Sequence, residues 1–132
     1  CLAAALALAP SAPHSGTKRF APVSRADLNK IISRNHPDAK LVRSMIGVES
    51  NWNPKAISKA GAVGLMQVRP ASARMVGLNY SRADLMCPEK NIRAGTRILK
   101  RYQRLAKGDM QKALALYSGG ARGYYRKVMK GA

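Results

Sequence analysis

Residues 45–54 read MIGVESNWNP and place a carboxylate, Glu49, at the end of an apolar helical run. The preceding apolar residues recur at spacings of three and four and fall on the same helical stripe as this carboxylate: Leu41, Val42, Met45 and Ile46. A carboxyl group on an apolar face loses hydration when it ionises, so its pKa is expected to rise. The alternative is a glutamate at a helix end that pairs with one of the many arginines.

The rest of the chain also has helical periodicity, and no alternating strand pattern is present. Ser24 followed by Asp27 predicts a capped helix start, and Pro37 ends that helix before Asp38 caps the next. Gly61 and Gly64 predict a loop after the Glu49 helix. Further helices are predicted within 70–77, 88–108, 110–118 and 123–131. The predicted fold class is mainly α, a single-domain helical bundle.

The chain is strongly basic, with 24 Lys plus Arg against six Asp plus Glu, a formal net charge of +18. Such a charge attracts polyanions and says nothing about the fold. Nucleic acid, an anionic membrane and the bacterial cell wall are all candidate partners. Composition alone does not rank them.

The first sixteen residues, CLAAALALAPSAPHSG, differ in composition from the remainder. Their apolar part is too short to span a bilayer as a helix. It resembles the apolar region of a secretory signal. Two alternatives stay open, a lipid-bearing Cys1 of a mature lipoprotein and a structured N-terminal helix. We expect residues 1–16 to be a signal remnant or lipoprotein N-terminus, and residues 17–132 to form the functional domain.

The spacing of cysteines and histidines in the sequence does not predict a metal site. Cys1 and Cys87 are far apart, and His14 and His36 stand isolated, so no C-x-x-C pair or Cys/His cluster exists in the sequence. We expect both histidines to be solvent-exposed or to cap helices. No cofactor is predicted.

Two segments, ESNWNPKAIS (49–58) and GAVGLMQVRP (61–70), resemble the signature of the soluble lytic transglycosylase (SLT) catalytic domain, a relative of goose-type lysozyme. In that family Glu-Ser, Asn-Pro, Gly-Leu-Met-Gln and a later Pro recur in this order. The segments CPEKNIRAGTRIL (87–99), ALALYSGG (113–120) and GYYRKV (123–128) match later family motifs. The resemblance covers about residues 24–130.

The resemblance implies a lysozyme-like fold with a substrate cleft that cleaves peptidoglycan between N-acetylmuramic acid and N-acetylglucosamine. It also implies that Glu49 is the only catalytic acid, acting first as acid and then as base. The C6 hydroxyl of the muramoyl sugar closes on C1 and yields a 1,6-anhydro end. Ordinary glycosidases use two carboxylates. Here Asp84, Glu89 and Asp109 are expected to lie at or near predicted helix starts instead.

The remaining predicted site residues bind substrate in the family pattern. Ser58 is implied near an acetamido group, Gln67 reaches the cleft, and Met66 lines or supports it. Tyr117 and Tyr124 are implied to hydrogen-bond near the acid or the sugar. The alternatives are that Gln67 is a solvated loop residue and that the two tyrosines are core aromatics. Ser118 departs from the family, which usually has Asn there.

Four functions are compared on these grounds. An exported lytic transglycosylase of the periplasm or cell envelope leads. A water-using muramidase, a non-catalytic wall-binding protein and a basic nucleic-acid-binding domain follow, the last without any recognisable motif. The expected partners are peptidoglycan glycan strands and, as a setting, a secretion, conjugation or pilus assembly. No nucleic acid is expected, and a membrane is expected only if Cys1 is lipidated.

Overall fold

The computed structural model describes residues 23–132, and the predicted signal remnant or lipoprotein N-terminus lies outside that range. Its described part contains seven α-helices. In chain order they are α1 (Arg25–Asn35), α2 (Ala39–Ser50), α3 (Pro70–Met75), α4 (Arg82–Leu85), α5 (Pro88–Leu105), α6 (Met110–Ser118) and α7 (Tyr124–Gly131). None of these helices is both long and apolar enough to cross a membrane.

Side-chain caps fix where several helices begin. The Ser24 hydroxyl accepts from the Asp27 amide at 3.1 Å, and Asp38 accepts from the Leu41 amide at the same distance. Asp109 caps α6 in the same way. These starts confirm the sequence prediction. The single-turn helix α4 was not predicted, because four residues are too few for a periodic pattern.

The long helix α5 is the centre of the bundle, with α1, α3, α4 and α6 packed against it. Helix α7 packs across α2 and α6. The predicted stripe of α2 is buried, and its apolar residues meet the buried loop residues Leu65 and Met66 and the α5 residues Ile92 and Leu99 in one core. The mainly α, single-domain bundle predicted from the sequence is confirmed.

The loop between α2 and α3 is fixed by backbone bridges and by one buried side chain. Isolated antiparallel bridges join Ile57 to Val63 and Val63 to Val68. Asn91, fully buried on α5, donates through Nδ2 to the Val63 and Leu85 carbonyls at 2.7 and 2.8 Å. Its Oδ1 accepts from the Met66 amide at 2.8 Å. One side chain therefore fixes the loop to the central helix.

Gly64 allows this close approach, so Gly64→Ala is expected to destabilise the protein by about 3 kcal/mol. An added Cβ would lie 2.5 Å from the Leu85 carbonyl oxygen, and the residue has φ +77°. Gly77→Ala is the matched control, because Gly77 has φ +83° but no atom within 4 Å of an added Cβ. We expect this control to lose only about 1 kcal/mol. If urea unfolding showed equal losses of unfolding free energy in the two variants, the close approach of Gly64 to Leu85 would not matter for stability.

Candidate active site

A cavity of about 330 Å³ opens between the loop and helices α5 to α7. Ser58, Gln67 and Arg69 line it from the loop side. Tyr102, Tyr117 and Tyr124 line it from the helix side. Glu49 also lines this cavity, so the helix end that the sequence singled out faces a groove shared with the Gln67 turn.

Glu49 is half-buried in the last turn of α2. Burial raises the pKa of its carboxyl above the ordinary value of 4.5, and the nearby Tyr124 hydroxyl partly opposes this shift. Within residues 23–132 no arginine or lysine lies within ion-pair distance of Glu49. The alternative of a glutamate paired with an arginine is therefore not found.

The other five carboxylates of the chain lie at helix starts and do not line the cavity: Asp27, Asp38, Asp84, Glu89 and Asp109. Hydrogen bonds from the Ser81 backbone and from Lys90 lower the pKa of Asp84 to about 2. Of the residues that the structure describes, Glu49 alone brings a carboxylate to this cavity.

Tyr124 is 6% exposed, and its buried hydroxyl has no hydrogen bond of ordinary geometry within the described part of the chain. It is nevertheless close enough to Glu49 to influence the pKa of the carboxyl. Burial, followed by the charge of Glu49, raises the pKa of Tyr124 itself. This hydroxyl therefore remains a neutral donor that faces the carboxyl.

The residues after Glu49 turn the chain sharply away from the helix. The Ser50 hydroxyl lies 2.8 Å from the Leu65 carbonyl, which joins the end of α2 to the buried loop. Asn51 and Trp52 both adopt left-handed backbone, with φ +54° and +64°. The Trp52 ring packs under the Arg25 guanidinium, 3.7 Å from the ring centroid. Trp52 thus packs against the first residue of α1.

The two polar loop residues face the cavity but are partly engaged by backbone. The Ser58 hydroxyl accepts from the Ala62 amide at 3.1 Å. Gln67, at φ +51°, donates through Nε2 to the Ala56 and Gly64 carbonyls at 3.1 and 3.0 Å. Both amide hydrogens are then used, so the amide oxygen of Gln67 is the atom left for a ligand.

Tyr117, which lines the cavity, is held in place by Met66, which lies behind the cavity wall. The Tyr117 hydroxyl donates to the Met66 carbonyl at 2.8 Å, and its ring meets Tyr102 edge-to-face at 6.5 Å. Burial, then the Glu49 charge, raises the pKa of Tyr117. The Met66 side chain is fully buried against Gly95 and does not line the cavity. Met66 therefore supports the cleft from behind.

Ser118 also lines the cavity, but its hydroxyl is used locally. It donates to the Ala115 carbonyl at 3.3 Å and accepts from the Ala121 amide at 3.2 Å. Two residues that the sequence analysis did not assign belong to the site, Arg69 in its lining and Asn91 behind it. Asn91 lies in the segment 87–99 that matches a family motif, which was a usable signal. Arg69 lies in the segment 61–70, between Gln67 and Pro70, but matches no position of the family pattern.

His36 is the C-cap of α1 and is buried, so it caps a helix and is not solvent-exposed. The Asp38 amide donates to its Nδ1 at 2.9 Å, and its Nε2 faces Gln103 Oε1 at 3.1 Å. His14 lies outside the described residues. Residues 23–132 contain no group of three or more His, Cys, Asp or Glu that would suit a metal ion.

The sequence is similar to those of named transglycosylases. A protein named Transglycosylase from Enterobacteria phage PRD1 is 35% identical over 106 residues, covering 70% of this chain and 37% of its own length. The Endo-type membrane-bound lytic murein transglycosylase A of Klebsiella pneumoniae is 39% identical over 69 residues, 47% of this chain and 34% of its own. The chain thus spans about a third of the length of these curated relatives.

The fold has a solved counterpart as well. The 70-kDa soluble lytic transglycosylase SLT70 of Escherichia coli superposes with a TM-score of 0.64 at 29% identity, over 83% of this chain and 19% of SLT70. The family model described as Transglycosylase SLT domain matches residues 28–130. The resemblance found in the sequence is confirmed, and the chain belongs to the transglycosylase SLT domain family of the lysozyme-like superfamily.

Proposed function

We propose that this protein is a lytic transglycosylase that cleaves the β-1,4 bond between N-acetylmuramic acid and N-acetylglucosamine in peptidoglycan. The observation that carries the proposal is the position of Glu49, whose carboxyl alone among the described residues faces the cavity and has a raised pKa. Family membership and a relative named as a lytic murein transglycosylase support the same substrate class. Residues 17–132 are proposed as the catalytic domain.

The proposed reaction needs one carboxyl group in two successive roles. Protonated Glu49 donates its proton to the glycosidic oxygen as the bond from that oxygen to C1 breaks. The C6 hydroxyl of the same muramoyl sugar then bonds to C1 and returns its proton to the Glu49 carboxylate, with the substrate N-acetyl group assisting. The product is a 1,6-anhydro ring, no water is consumed, and Glu49 ends protonated as it began.

An attacking group within the substrate also explains how a cavity with one carboxylate can suffice. A hydroxyl already attached to the sugar has a large effective concentration at C1 and needs no second carboxylate to activate water. The neighbouring residues supply binding. Ser58 and the Gln67 oxygen face the cavity for the sugar, and Tyr117 with Met66 fixes the wall behind it.

Tyr124→Phe is expected to raise the pKa of Glu49 and move the alkaline limb of the kcat/KM–pH profile to higher pH. The tyrosine hydroxyl lowers this pKa in the wild type, and a general acid stays active for as long as it keeps its proton. Tyr117→Phe is the control, because the Tyr117 hydroxyl is bonded to the Met66 carbonyl. If the alkaline limb of the kcat/KM–pH profile lies at the same pH in both variants, Tyr124 does not act on the pKa of Glu49.

The charge of the chain fits the proposed substrate. Peptidoglycan carries carboxylates on its stem peptides and lactyl groups, and a net charge of +18 concentrates the protein on it, with binding weakened by salt. We further propose an exported protein of the cell envelope, with a lipid anchor on Cys1 as the alternative form. Its setting, either general wall turnover or local opening for a secretion, conjugation or pilus assembly, remains a prediction.

Mass spectrometry of digested sacculi tests the reaction. We expect muropeptides with 1,6-anhydro ends, each one water lighter than the corresponding reducing-end product. Reducing ends in their place would identify a muramidase. Binding to sacculi without any release of muropeptides would identify a non-catalytic wall-binding protein.

A further inference from the structure

The cavity has one cation in its lining, Arg69, which no motif explains. Of the 24 Lys and Arg residues of the chain, it is the one that lines this cavity among the described residues. Its backbone is fixed, since Val68 pairs with Val63 before it and its carbonyl accepts from the Ser72 and Ala73 amides after it. The guanidinium therefore extends from a rigid position at the start of α3.

The Arg69 side chain has no partner among the residues that the structure describes. It forms no ion pair with a carboxylate of residues 23–132, which include all six acids of the chain, and no hydrogen bond. The Ser72 hydroxyl, in the first turn of α3, lines the same cavity and also makes no side-chain hydrogen bond there. Two unpaired polar side chains on one wall point to a ligand group.

Arg69 does not act through the catalytic acid. The pKa of Glu49 reflects burial and the Tyr124 hydroxyl, and Arg69 lies beyond ion-pair distance of the carboxyl. A planar guanidinium with five donors matches a carboxylate in bidentate geometry better than any other anion-binding side chain. A carboxylate carried by a strand bound in the cleft therefore suits this guanidinium.

We propose that Arg69, assisted by the Ser72 hydroxyl, binds a carboxylate of the glycan strand and selects strands that carry one. This inference rests on the proposed function, because it takes the peptidoglycan strand as the ligand. Two sources have this chemistry. Stem peptides carry carboxylates, whereas a strand stripped of its peptides exposes the lactyl carboxylate of each muramic acid.

Binding of three soluble strands, measured by calorimetry, tests the proposal. They are peptide-bearing strands, strands stripped by an amidase, and stripped strands whose lactyl carboxylates have been converted to neutral amides. All measurements use the Glu49→Gln background, so that the strands are not cut. Arg69→Ala is compared with Arg74→Ala, a matched control, because Arg74 lies in α3, the helix that Arg69 precedes, is exposed and does not line the cavity.

We expect Arg69→Ala to weaken binding of a carboxylate-bearing strand about tenfold. Binding of the amidated strand should change by less than about twofold, as should binding of all three strands to Arg74→Ala. If Arg69→Ala weakens binding only of peptide-bearing strands, the bound carboxylate belongs to the stem peptide. If it weakens binding of stripped strands, the bound carboxylate is that of the lactyl group.

Two results overturn the proposal. Equal losses for the two arginine variants would mean that only diffuse charge matters. If Arg69→Ala weakened binding of the amidated strand as much as binding of the carboxylate-bearing strands, Arg69 would not bind a carboxylate. Turnover of sacculi by the wild type is measured separately. An inactive enzyme whose binding still depends on Arg69 would refute the proposed reaction and leave the carboxylate site standing.

Discussion

Glu49→Gln is expected to lower the rate of muropeptide release from sacculi by a factor of about 10³, because general acid–base catalysis by one side chain is of this size. The amide has nearly the shape of the acid but has no proton to donate and cannot accept one from the C6 hydroxyl. Release is measured by chromatography of the soluble products. Glu89→Gln is the control, since Glu89 lies in the first turn of α5 outside the cavity.

The stability of Glu49→Gln separates lost chemistry from lost folding. Because the folded protein raises the pKa of Glu49 above 4.5, it holds this proton more tightly than the unfolded chain does. Ionisation of Glu49 therefore destabilises the fold as the pH rises above 4.5. The Gln variant lacks this penalty, so at neutral pH its Tm is expected to equal or exceed that of the wild type. An inactive variant with a lower Tm would contradict this reasoning.

Asn91→Ala is expected to lower the free energy of unfolding by about 3 to 5 kcal/mol, because truncation removes three buried hydrogen bonds and leaves the Leu85 carbonyl and the Met66 amide without partners. The Val63 carbonyl keeps the Val68 amide as a donor. The Val63 and Leu85 carbonyls lose a donor, and the Met66 amide loses an acceptor. The loop that carries Ser58 and Gln67 would then detach from α5. We expect activity to fall further than the unfolded fraction alone accounts for.

Urea unfolding measures the first effect, and Asn35→Ala is its control. Asn35 donates one hydrogen bond to the Ile31 carbonyl in its own helix, so its loss should lie within about 1 kcal/mol. A change of similar size in both variants would show that Asn91 does not fix the loop.

The helices were predictable because the relevant signals are local. Ser24, Asp38 and Asp109 cap helices in the positions that the sequence marked, and the stripe of α2 is buried as its spacing required. The single turn α4 was not predicted. Ser81 and Asp84 form a capping box at its start, but the helix is too short to show a period in the sequence.

The geometry of the site was less predictable, since it depends on contacts between distant parts of the chain. Nothing local shows that Asn91 bonds to three backbone groups of two other segments. Met66 was grouped with the substrate-binding residues by its motif, whereas packing against Gly95 buries its side chain completely. Arg69 is one arginine in a basic sequence, and its position in the cavity lining emerges only from the fold.

Titration of the Glu49 carboxyl by ¹³C NMR tests the central claim most directly. The Glu49→Gln variant identifies the resonance. The proposed chemistry depends on a side chain that keeps its proton because its surroundings are poor in water. We predict a midpoint above 4.5, the ordinary value for a glutamate. A midpoint at or below 4.5 would show a solvated or ion-paired carboxylate and would contradict the proposed proton donor.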